Sequence, residues 1–252
     1  MTRMGIFLYG VVSYAIFFAV FLYGIGFIVG EATPTMLDGM PRLPLLQALG
    51  INLGLLTLFA LQHSGMARQS FKRWLTRFVP VSAERSTYVL LSSLALALLF
   101  AFWQPMGGVV WNVTSSAVRS YIVGLYLLGW MVLLYATFLI DHFDLFGLKQ
   151  VWRQLVGASY KPPQFHTPGM YRIVRHPLYV GWIIIFWAAP TMTLAHLVFA
   201  GVATAYILVA IQLEERDLVA AFGEVYESYR SRTPMLVPRL WPKRRETKPA
   251  NS

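Results

Sequence analysis

The chain has 252 residues, of which 57% are hydrophobic and only 13% are charged. A composition this apolar excludes an ordinary soluble domain and predicts an integral membrane protein. The absence of cysteine excludes disulfides, thiolate metal sites and a cysteine nucleophile, and the net charge of +10 predicts contact with anionic membrane lipid rather than with nucleic acid.

Five stretches without Asp, Glu, Lys or Arg predict the membrane segments: residues 4–30, 43–67, 86–118, 120–140 and 177–213. About 20 apolar helical residues cross a hydrocarbon core of about 30 Å, so each of the first four predicts one helix. The first is too long for the apolar region of a signal peptide, and we expect it to stay uncleaved. The fifth contains Pro190, which ends a helix, so it predicts a helical hairpin with a short first arm at residues 178–189. A single kinked, tilted helix is the alternative.

Basic residues gather at the N-terminus, in the connections after the second and fourth predicted helices, and in the C-terminal tail. The positive-inside rule therefore predicts that both termini lie in the cytoplasm, in a bacterial inner membrane. An even number of crossings satisfies this orientation and favours the hairpin. We expect one membrane domain over residues 1–242, and a basic, disordered tail over residues 243–252.

A repeat of three and four positions after the hairpin predicts an amphipathic helix over the cytoplasmic mouth, limited by Pro234. The repeating residues are Glu215, Leu218, Phe222, Val225, Tyr226 and Tyr229. The predicted fold is therefore all-α, with five to six transmembrane segments that include the hairpin broken at Pro190, followed by this helix.

Polar residues stand at both ends of the predicted hairpin. Arg175-His176-Pro177 opens it, and a helix start with free N–H groups beside an arginine favours an anionic group such as a carboxylate. An interfacial anchor is the alternative. Glu214-Glu215 is expected at the C-terminal end of the second arm, where the helix dipole disfavours carboxylates. A cation should compensate there, either Arg172, Arg175 or a ligand, unless this is an ordinary salt-bridged helix end.

Two histidines at predicted helix ends are candidates for proton transfer. His142 follows the fourth helix with Asp141 and Asp144 close by, and His63 follows Gln62 at the end of the second helix. His142, His63 or Asp144 could take a proton from a substrate, and a polar helix terminus is the alternative in each case. No set of His, Asp and Glu residues has the spacing of metal ligands, so we predict no metal.

Two motifs in the C-terminal third resemble the signature of the isoprenylcysteine carboxyl methyltransferase superfamily, which also includes phospholipid methyltransferases. They are Gly169-x-Tyr171-Arg172-x-x-Arg175-His176-Pro177-x-Tyr179-x-Gly181, and Glu214-Glu215-x-x-Leu218 with Phe222-Gly223-x-x-Tyr226-x-x-Tyr229. Residues 62–66 and 141–147 most resemble the bacterial branch of that superfamily that methylates methanethiol.

The resemblance implies that S-adenosylmethionine binds at the cytoplasmic mouth, within residues 165–234, and leaves as S-adenosylhomocysteine. Its methionyl carboxylate is expected near Arg175, and its adenosine near Tyr179 and the glutamate pair. The residues implied in cofactor binding are Tyr171, Arg175, His176, Pro177, Tyr179, Gly181, Glu214, Glu215 and Tyr226. Residues 165–168 are a candidate lid.

The resemblance also implies a substrate, the small volatile thiol methanethiol, which would enter from the membrane side and leave as dimethyl sulfide. Its thiol must become a thiolate, with His142, Asp144 and His63 as candidate catalytic residues. The alternatives are another small thiol, an isoprenylcysteine carboxylate or a lipid amine as acceptor, or a non-enzymatic membrane accessory protein.

Overall fold

The computed structural model describes residues 2–161 and 164–239 of the chain. The helices are α1 (Arg3–Val29), α2 (Leu45–Ala67), α3 (Gln69–Leu75), α4 (Glu84–Phe102), α5 (Ser116–Leu139), α6 (His142–Leu145), α7 (Leu148–Leu155), α8 (Pro177–Trp187), α9 (Leu194–Phe222) and α10 (Glu224–Arg232). Of these, α1, α2, α4, α5 and α9 are long and apolar enough to cross a membrane. The predicted helical membrane fold is confirmed. The predicted tail, residues 243–252, lies outside the described residues.

The outer surface of the long helices is apolar. Large side chains such as Leu61 of α2, Met131 of α5 and Val209 of α9 are more than half exposed. Such exposure on several helices would be unfavourable in water, whereas hydrocarbon is their natural surrounding. The backbone polar groups of each span are satisfied within its helix, as a bilayer requires. The chain is therefore an integral membrane protein.

The membrane helices pack in a closed order. Helix α1 packs against α4, α4 against α2, α2 against α9, α9 against α8, and α8 against α5. An aromatic contact closes the circle, because the rings of Phe21 on α1 and Trp130 on α5 meet edge to face with centroids 5.0 Å apart. Phe27, Phe100 and Phe199 join a buried aromatic core at the end of the bundle that carries the C-termini of α1 and α4.

The predicted hairpin is present, with a short strand at its turn. Helix α8 ends at Trp187, ahead of Pro190, and the chain then forms β2 (Thr191–Thr193). This strand pairs antiparallel with β1 (Val109–Asn112) from the connection between α4 and α5. The two-stranded ribbon was not predicted. It fixes the turn of the hairpin against the connection between α4 and α5.

The second arm of the hairpin is longer than predicted. Helix α9 continues through Glu214-Glu215 and ends only at Phe222, and Gly223, with φ of 54°, separates it from α10. The expectation that the glutamate pair stands at a helix C-terminus was therefore wrong. The negative end of the helix dipole lies two turns beyond Glu215. A cation beside Glu215 is therefore not needed to compensate the helix dipole.

Helices α5 and α8 approach each other closely through glycine. A Cβ atom added at Gly181 would lie 2.9 Å from the carbonyl oxygen of Gly129, and one added at Gly129 would lie 3.1 Å from the carbonyl oxygen of Gly181. Small residues permit this backbone contact between membrane helices. Gly181, which the resemblance implied in cofactor binding, thus has a packing position that sets where the start of α8 lies.

Candidate functional site

A buried ion cluster joins the start of α8 to α9. Arg175 Nε donates to Glu215 Oε1 at 2.7 Å, and His176 Nε2 lies 3.0 Å from the same oxygen. All three residues are close in space because the hairpin folds back at the turn between α8 and α9. Pro177 occupies the first position of α8, as predicted, and His176 precedes it as the N-cap. The two polar clusters flanking the hairpin therefore converge at one end of the bundle.

The two neighbouring glutamates differ in exposure. The side chain of Glu215 is 8% exposed, whereas that of Glu214 is 46% exposed. Tyr179 OH donates to Glu214 Oε2 at 3.0 Å, and His176 Nδ1 stands 4.0 Å from this oxygen. Glu215 is thus enclosed by its partners, while the carboxylate of Glu214 is half exposed and accessible to a ligand.

A segment beyond α10, residues 233–235, packs along the start of α8, and we call it the C-terminal strap. Arg175 Nη1 donates to the carbonyl oxygens of Arg230, at 3.0 Å, and of Thr233, at 2.6 Å. The backbone N–H groups of Arg175 and His176 donate to the carbonyls of Pro234 and Met235, at 2.9 and 3.2 Å. The sequence did not reveal this strap. Since Arg175 already binds Glu215 and the strap, its first role is to hold the site together.

Aromatic side chains enclose the site from the tail. Phe165 packs against Phe222, Tyr226 and Tyr229, with ring centroids 5.3 to 5.7 Å apart. Tyr229 OH donates to the carbonyl oxygen of Tyr171 at 2.5 Å, which ties α10 to the turn before α8. Burial raises the pKa of Tyr229 to about 12 and raises the pKa values of Tyr171 and Tyr226 as well. These phenols are neutral at physiological pH.

Tyr226 carries a buried hydroxyl that has no hydrogen-bond partner among the described residues. Its side chain is 1% exposed. An unpaired buried polar group costs about 1–3 kcal/mol. Such a group beside Glu214 and Glu215 is a natural contact point for a polar ligand.

His142 lies in an aromatic pocket between α1, α5 and α6. Thr137 OH donates to the carbonyl oxygen of Leu134 at 2.7 Å, so its oxygen must accept from His142 Nδ1–H, 2.8 Å away. His142 Nε2 then accepts from Tyr14 OH at 2.9 Å. Burial lowers the pKa of His142, partly offset by the nearby Asp141 carboxylate, which agrees with a neutral ring.

The two aspartates near His142 have separate surroundings. Asp141 forms an ion pair with Lys149 and accepts from the backbone N–H of Asp144 at 3.1 Å. Burial opposes its charge, but Lys149 and that N–H outweigh burial and lower the pKa of Asp141. Asp144 lies beside Tyr160, whose pKa is raised to about 12 by burial and then by the Asp144 carboxylate. Neither carboxylate contacts the imidazole of His142 within hydrogen-bonding distance.

An open cavity of about 630 Å³ connects the surroundings of His142 to the aromatic tail. Its lining includes Phe138, Leu139, His142, Phe143, Phe165 and His166. Phe165 belongs both to this cavity and to the aromatic group around Tyr226. The predicted lid segment, residues 165–168, therefore lies between this cavity and the aromatic group around Tyr226.

His63 lies on a different wall, in a polar group shared by α2 and α4. Its ring contacts Tyr88 OH, 2.9 Å from Nε2, and Ser92 Oγ, 3.2 Å from Nδ1. The neighbouring Ser64 Oγ lies 2.9 Å from Tyr206 OH on α9. His63 and His142 are therefore not brought together. Tyr88, near the start of α4, was missed because aromatic residues near helix ends usually mark the membrane interface. Tyr206 was missed because it lies in the middle of α9, where nothing in the sequence separates it from a packing residue.

Among the residues that the structure describes, no three His, Asp or Glu side chains gather as a metal site would need.

Comparison with known proteins gives one family match and several close relatives. Residues 127–220 match the isoprenylcysteine carboxyl methyltransferase (ICMT) family. Methanethiol S-methyltransferase of Crocosphaera subtropica is 52% identical over 94% of this chain and 93% of its own. Methanethiol S-methyltransferase 2 of Bradyrhizobium diazoefficiens is 50% identical over 96% of this chain and 93% of its own. Methanethiol S-methyltransferase of Mycobacterium tuberculosis is 50% identical over 94% of this chain and 96% of its own. No solved structure gives a significant match.

Proposed function

Because the chain belongs to the methanethiol S-methyltransferase family, we propose that this membrane methyltransferase transfers a methyl group from S-adenosylmethionine to methanethiol, giving dimethyl sulfide. The observation that carries the proposal is identity of about 50% over nearly the full length of relatives with that name. The half-exposed Glu214 beside the Arg175–His176–Glu215 cluster supports it, since a charged cofactor needs such a polar recess in an otherwise apolar bundle.

The residues around Glu214 fit S-adenosylmethionine chemically. The cofactor carries an ammonium group, a carboxylate, ribose hydroxyls and a sulfonium. Glu214 offers an anionic acceptor, and Tyr226 offers a buried hydroxyl without a partner among the described residues. Arg175 brings positive charge, and Tyr171 and Tyr179 bring aromatic surface. These residues, together with His176 and Glu215, would hold the cofactor, which when bound supplies an activated methyl group.

The contribution of the protein to such a transfer is alignment and exclusion of water. A displacement at a methyl group gains from holding nucleophile and methyl carbon in line, and little acid catalysis is needed. Phe165 and the tail tyrosines cover the site from the aqueous side, and the C-terminal strap fixes the start of α8. A small apolar thiol can approach through the bilayer, although its few atoms provide little binding energy.

The proposed orientation places both termini, and with them the site, in the cytoplasm. It rests on the basic residues of the connections after α2 and α5, and on the even number of passages that the hairpin permits. Because the chain has no cysteine, single-cysteine variants test this directly. A membrane-impermeant maleimide should label Ser115→Cys in intact cells and label Ser231→Cys only after lysis. The reverse pattern would invert the proposed orientation.

Two measurements on the purified protein test the function. Isothermal titration calorimetry should detect S-adenosylhomocysteine binding, and headspace gas chromatography should detect dimethyl sulfide when methanethiol and S-adenosylmethionine are supplied together. Binding without dimethyl sulfide would exclude methanethiol while leaving a methyltransferase with another acceptor. Absence of both signals in folded protein would refute the proposed function.

A further inference from the structure

A polar group joins the end of α2 to the start of α4. Gln62, His63, Tyr88 and Ser92 lie within about two turns of those helix ends. Gln62 Nε2 donates to Ser92 Oγ at 3.2 Å, and Ser92 Oγ lies 3.2 Å from His63 Nδ1. The four side chains thus form one connected network, which we call the α2–α4 network.

The network has an unused hydrogen-bond acceptor. The amide oxygen Oε1 of Gln62 is buried and has no partner among the described residues. An unpaired buried oxygen is unfavourable, and a network that served only to pack the two helices would tend to give every polar atom a hydrogen-bond partner. A ligand that donates a hydrogen bond would satisfy it, and a thiol S–H can make this contact as the thiol enters, before its proton is transferred.

The network adjoins the proposed cofactor site through α9. Ser64 Oγ, next to His63 in the chain, lies 2.9 Å from Tyr206 OH of α9. Glu214, about two turns further along α9, accepts from Tyr179 of α8. Helix α9 therefore connects the network to the residues of the proposed cofactor site.

The surfaces beside the network are apolar and aromatic. Phe59 stacks on the His63 ring with centroids 5.2 Å apart and meets the Tyr206 ring edge to face at 6.4 Å. Such walls suit the methyl group of a small thiol. His142, the other candidate, borders the open cavity, and its ring is stacked at 4.4 Å on Phe138 and bounded by Phe146 at 4.8 Å.

We propose that the α2–α4 network is the subsite for the thiol acceptor, with His63 as the base that takes the thiol proton and Tyr88 and Ser92 as positioning residues for its imidazole. The proposal rests on the proposed function and adds the acceptor's location to it. The S–H bond breaks and its proton passes to the Tyr88 hydroxyl, which gives its own proton to His63 Nε2, 2.9 Å away, while the sulfur electron pair forms the new bond to the methyl carbon. The carbon–sulfonium bond breaks, its electron pair stays on the sulfur of S-adenosylhomocysteine, and the proton then passes to solvent.

Hydroxyl partners suit this role. Tyr88 and Ser92 can each donate to a ring nitrogen or accept from it, so His63 gains a proton without losing a hydrogen bond. Once the product has formed, the apolar wall favours loss of the proton from the His63 imidazole to solvent, which restores the neutral base.

The decisive measurement is the pH dependence of dimethyl sulfide formation. His63→Gln keeps a polar side chain but removes the base, so kcat/KM should fall roughly 100-fold at neutral pH. The residual rate should climb about tenfold per pH unit, because only solvent-formed thiolate reacts. Tyr88→Phe should lower kcat/KM less than His63→Gln does, and it should shift the pH profile of dimethyl sulfide formation. S-adenosylhomocysteine affinity, measured by calorimetry, should stay within twofold of wild type in both.

A matched control removes a comparable hydroxyl elsewhere. Tyr9→Phe deletes a phenol of α1 that donates to Thr87 on α4 at 3.0 Å and does not belong to the network, so it should leave the rate and the pH profile unchanged. If His63→Gln does not fold, the pH dependence of dimethyl sulfide formation is measured on Tyr88→Phe and Ser92→Ala instead. Wild-type pH profiles in all folded variants of the network would overturn the subsite while leaving the proposed function intact.

A second readout does not require turnover. Diethyl pyrocarbonate modification of each histidine, followed by mass spectrometry, is compared with S-adenosylhomocysteine alone and with added dimethyl sulfide. The subsite predicts that dimethyl sulfide slows modification of His63 at least threefold and leaves the exposed His166 unaffected. Equal modification of His63 in both conditions would count against the subsite, and protection of His142 instead would place the acceptor at the other histidine.

Discussion

Replacing Glu215 by alanine tests whether the buried cluster holds the hairpin ends together. The Glu215 carboxylate bridges Arg175 and His176, and the side chains of Arg175 and Glu215 are only 11% and 8% exposed. Removal of one partner leaves a buried guanidinium without its counter-charge, which costs about 3–5 kcal/mol. At roughly 2–4 °C per kcal/mol for a chain of this size, the melting temperature should fall by roughly 6–20 °C.

The same helix supplies a matched control. Asp217 pairs with Arg68 at 3.0 Å, but these side chains are 47% and 32% exposed. An exposed pair contributes about 0–1 kcal/mol, so Asp217→Ala should lower the melting temperature by at most roughly 4 °C. Thermal-shift measurements on detergent-purified protein compare the two, with Glu215→Gln expected between them because it retains a hydrogen-bond acceptor. Equal shifts for Glu215→Ala and Asp217→Ala would refute the reasoning from burial.

Four further substitutions test separate parts of the structure. Tyr226→Phe removes a buried hydroxyl without a partner among the described residues, so it should raise the melting temperature of cofactor-free protein yet weaken S-adenosylhomocysteine binding roughly 2- to 10-fold by calorimetry. Glu214→Gln should leave the melting temperature within about 2 °C of wild type, because the side chain is half exposed, but should weaken the same binding at least tenfold. Gly181→Ala should destabilise the protein by about 1–3 kcal/mol in thermal unfolding, since its Cβ would stand 2.9 Å from a carbonyl oxygen of α5. Burial lowers the pKa of His142, so the unfolded chain binds more protons below about pH 6.5, and thermal stability should fall as the pH drops through that value. His142→Gln should flatten that dependence, and an unchanged slope would contradict the assignment.

The membrane segments could be predicted because the length of an apolar stretch without charges can be read directly from the sequence. Charge-free windows and the proline at 190 determine where α1, α2, α4, α5 and the hairpin lie, and the structure has helices there. Convergence of Arg175 with Glu215 followed from the same reading, since both flank a segment that turns back. The polar residues themselves, however, were chosen partly through a family resemblance.

Other features depend on contacts that residue types do not reveal. The charged run at residues 214–217 suggested a helix end, but glutamate and arginine are good helix formers, so α9 continues until Gly223 permits a different backbone. The C-terminal strap is held by backbone carbonyls, which carry no sequence signal. Gly181 belonged to a recognised motif, but only the structure shows that it is surrounded by α5.

The paired glutamates illustrate why a motif alone leaves roles unassigned. Successive residues on an α-helix point about 100° apart, so two adjacent carboxylates on α9 must face different surroundings. Glu215 turns towards Arg175 and His176 and is enclosed, whereas Glu214 turns towards Tyr179 and remains half exposed. The enclosed carboxylate fixes the shape of the site, and that fixed shape is what leaves its neighbour free to meet a ligand. Stability and binding are thereby assigned to neighbouring residues, and substitutions at the two positions should affect different measurements.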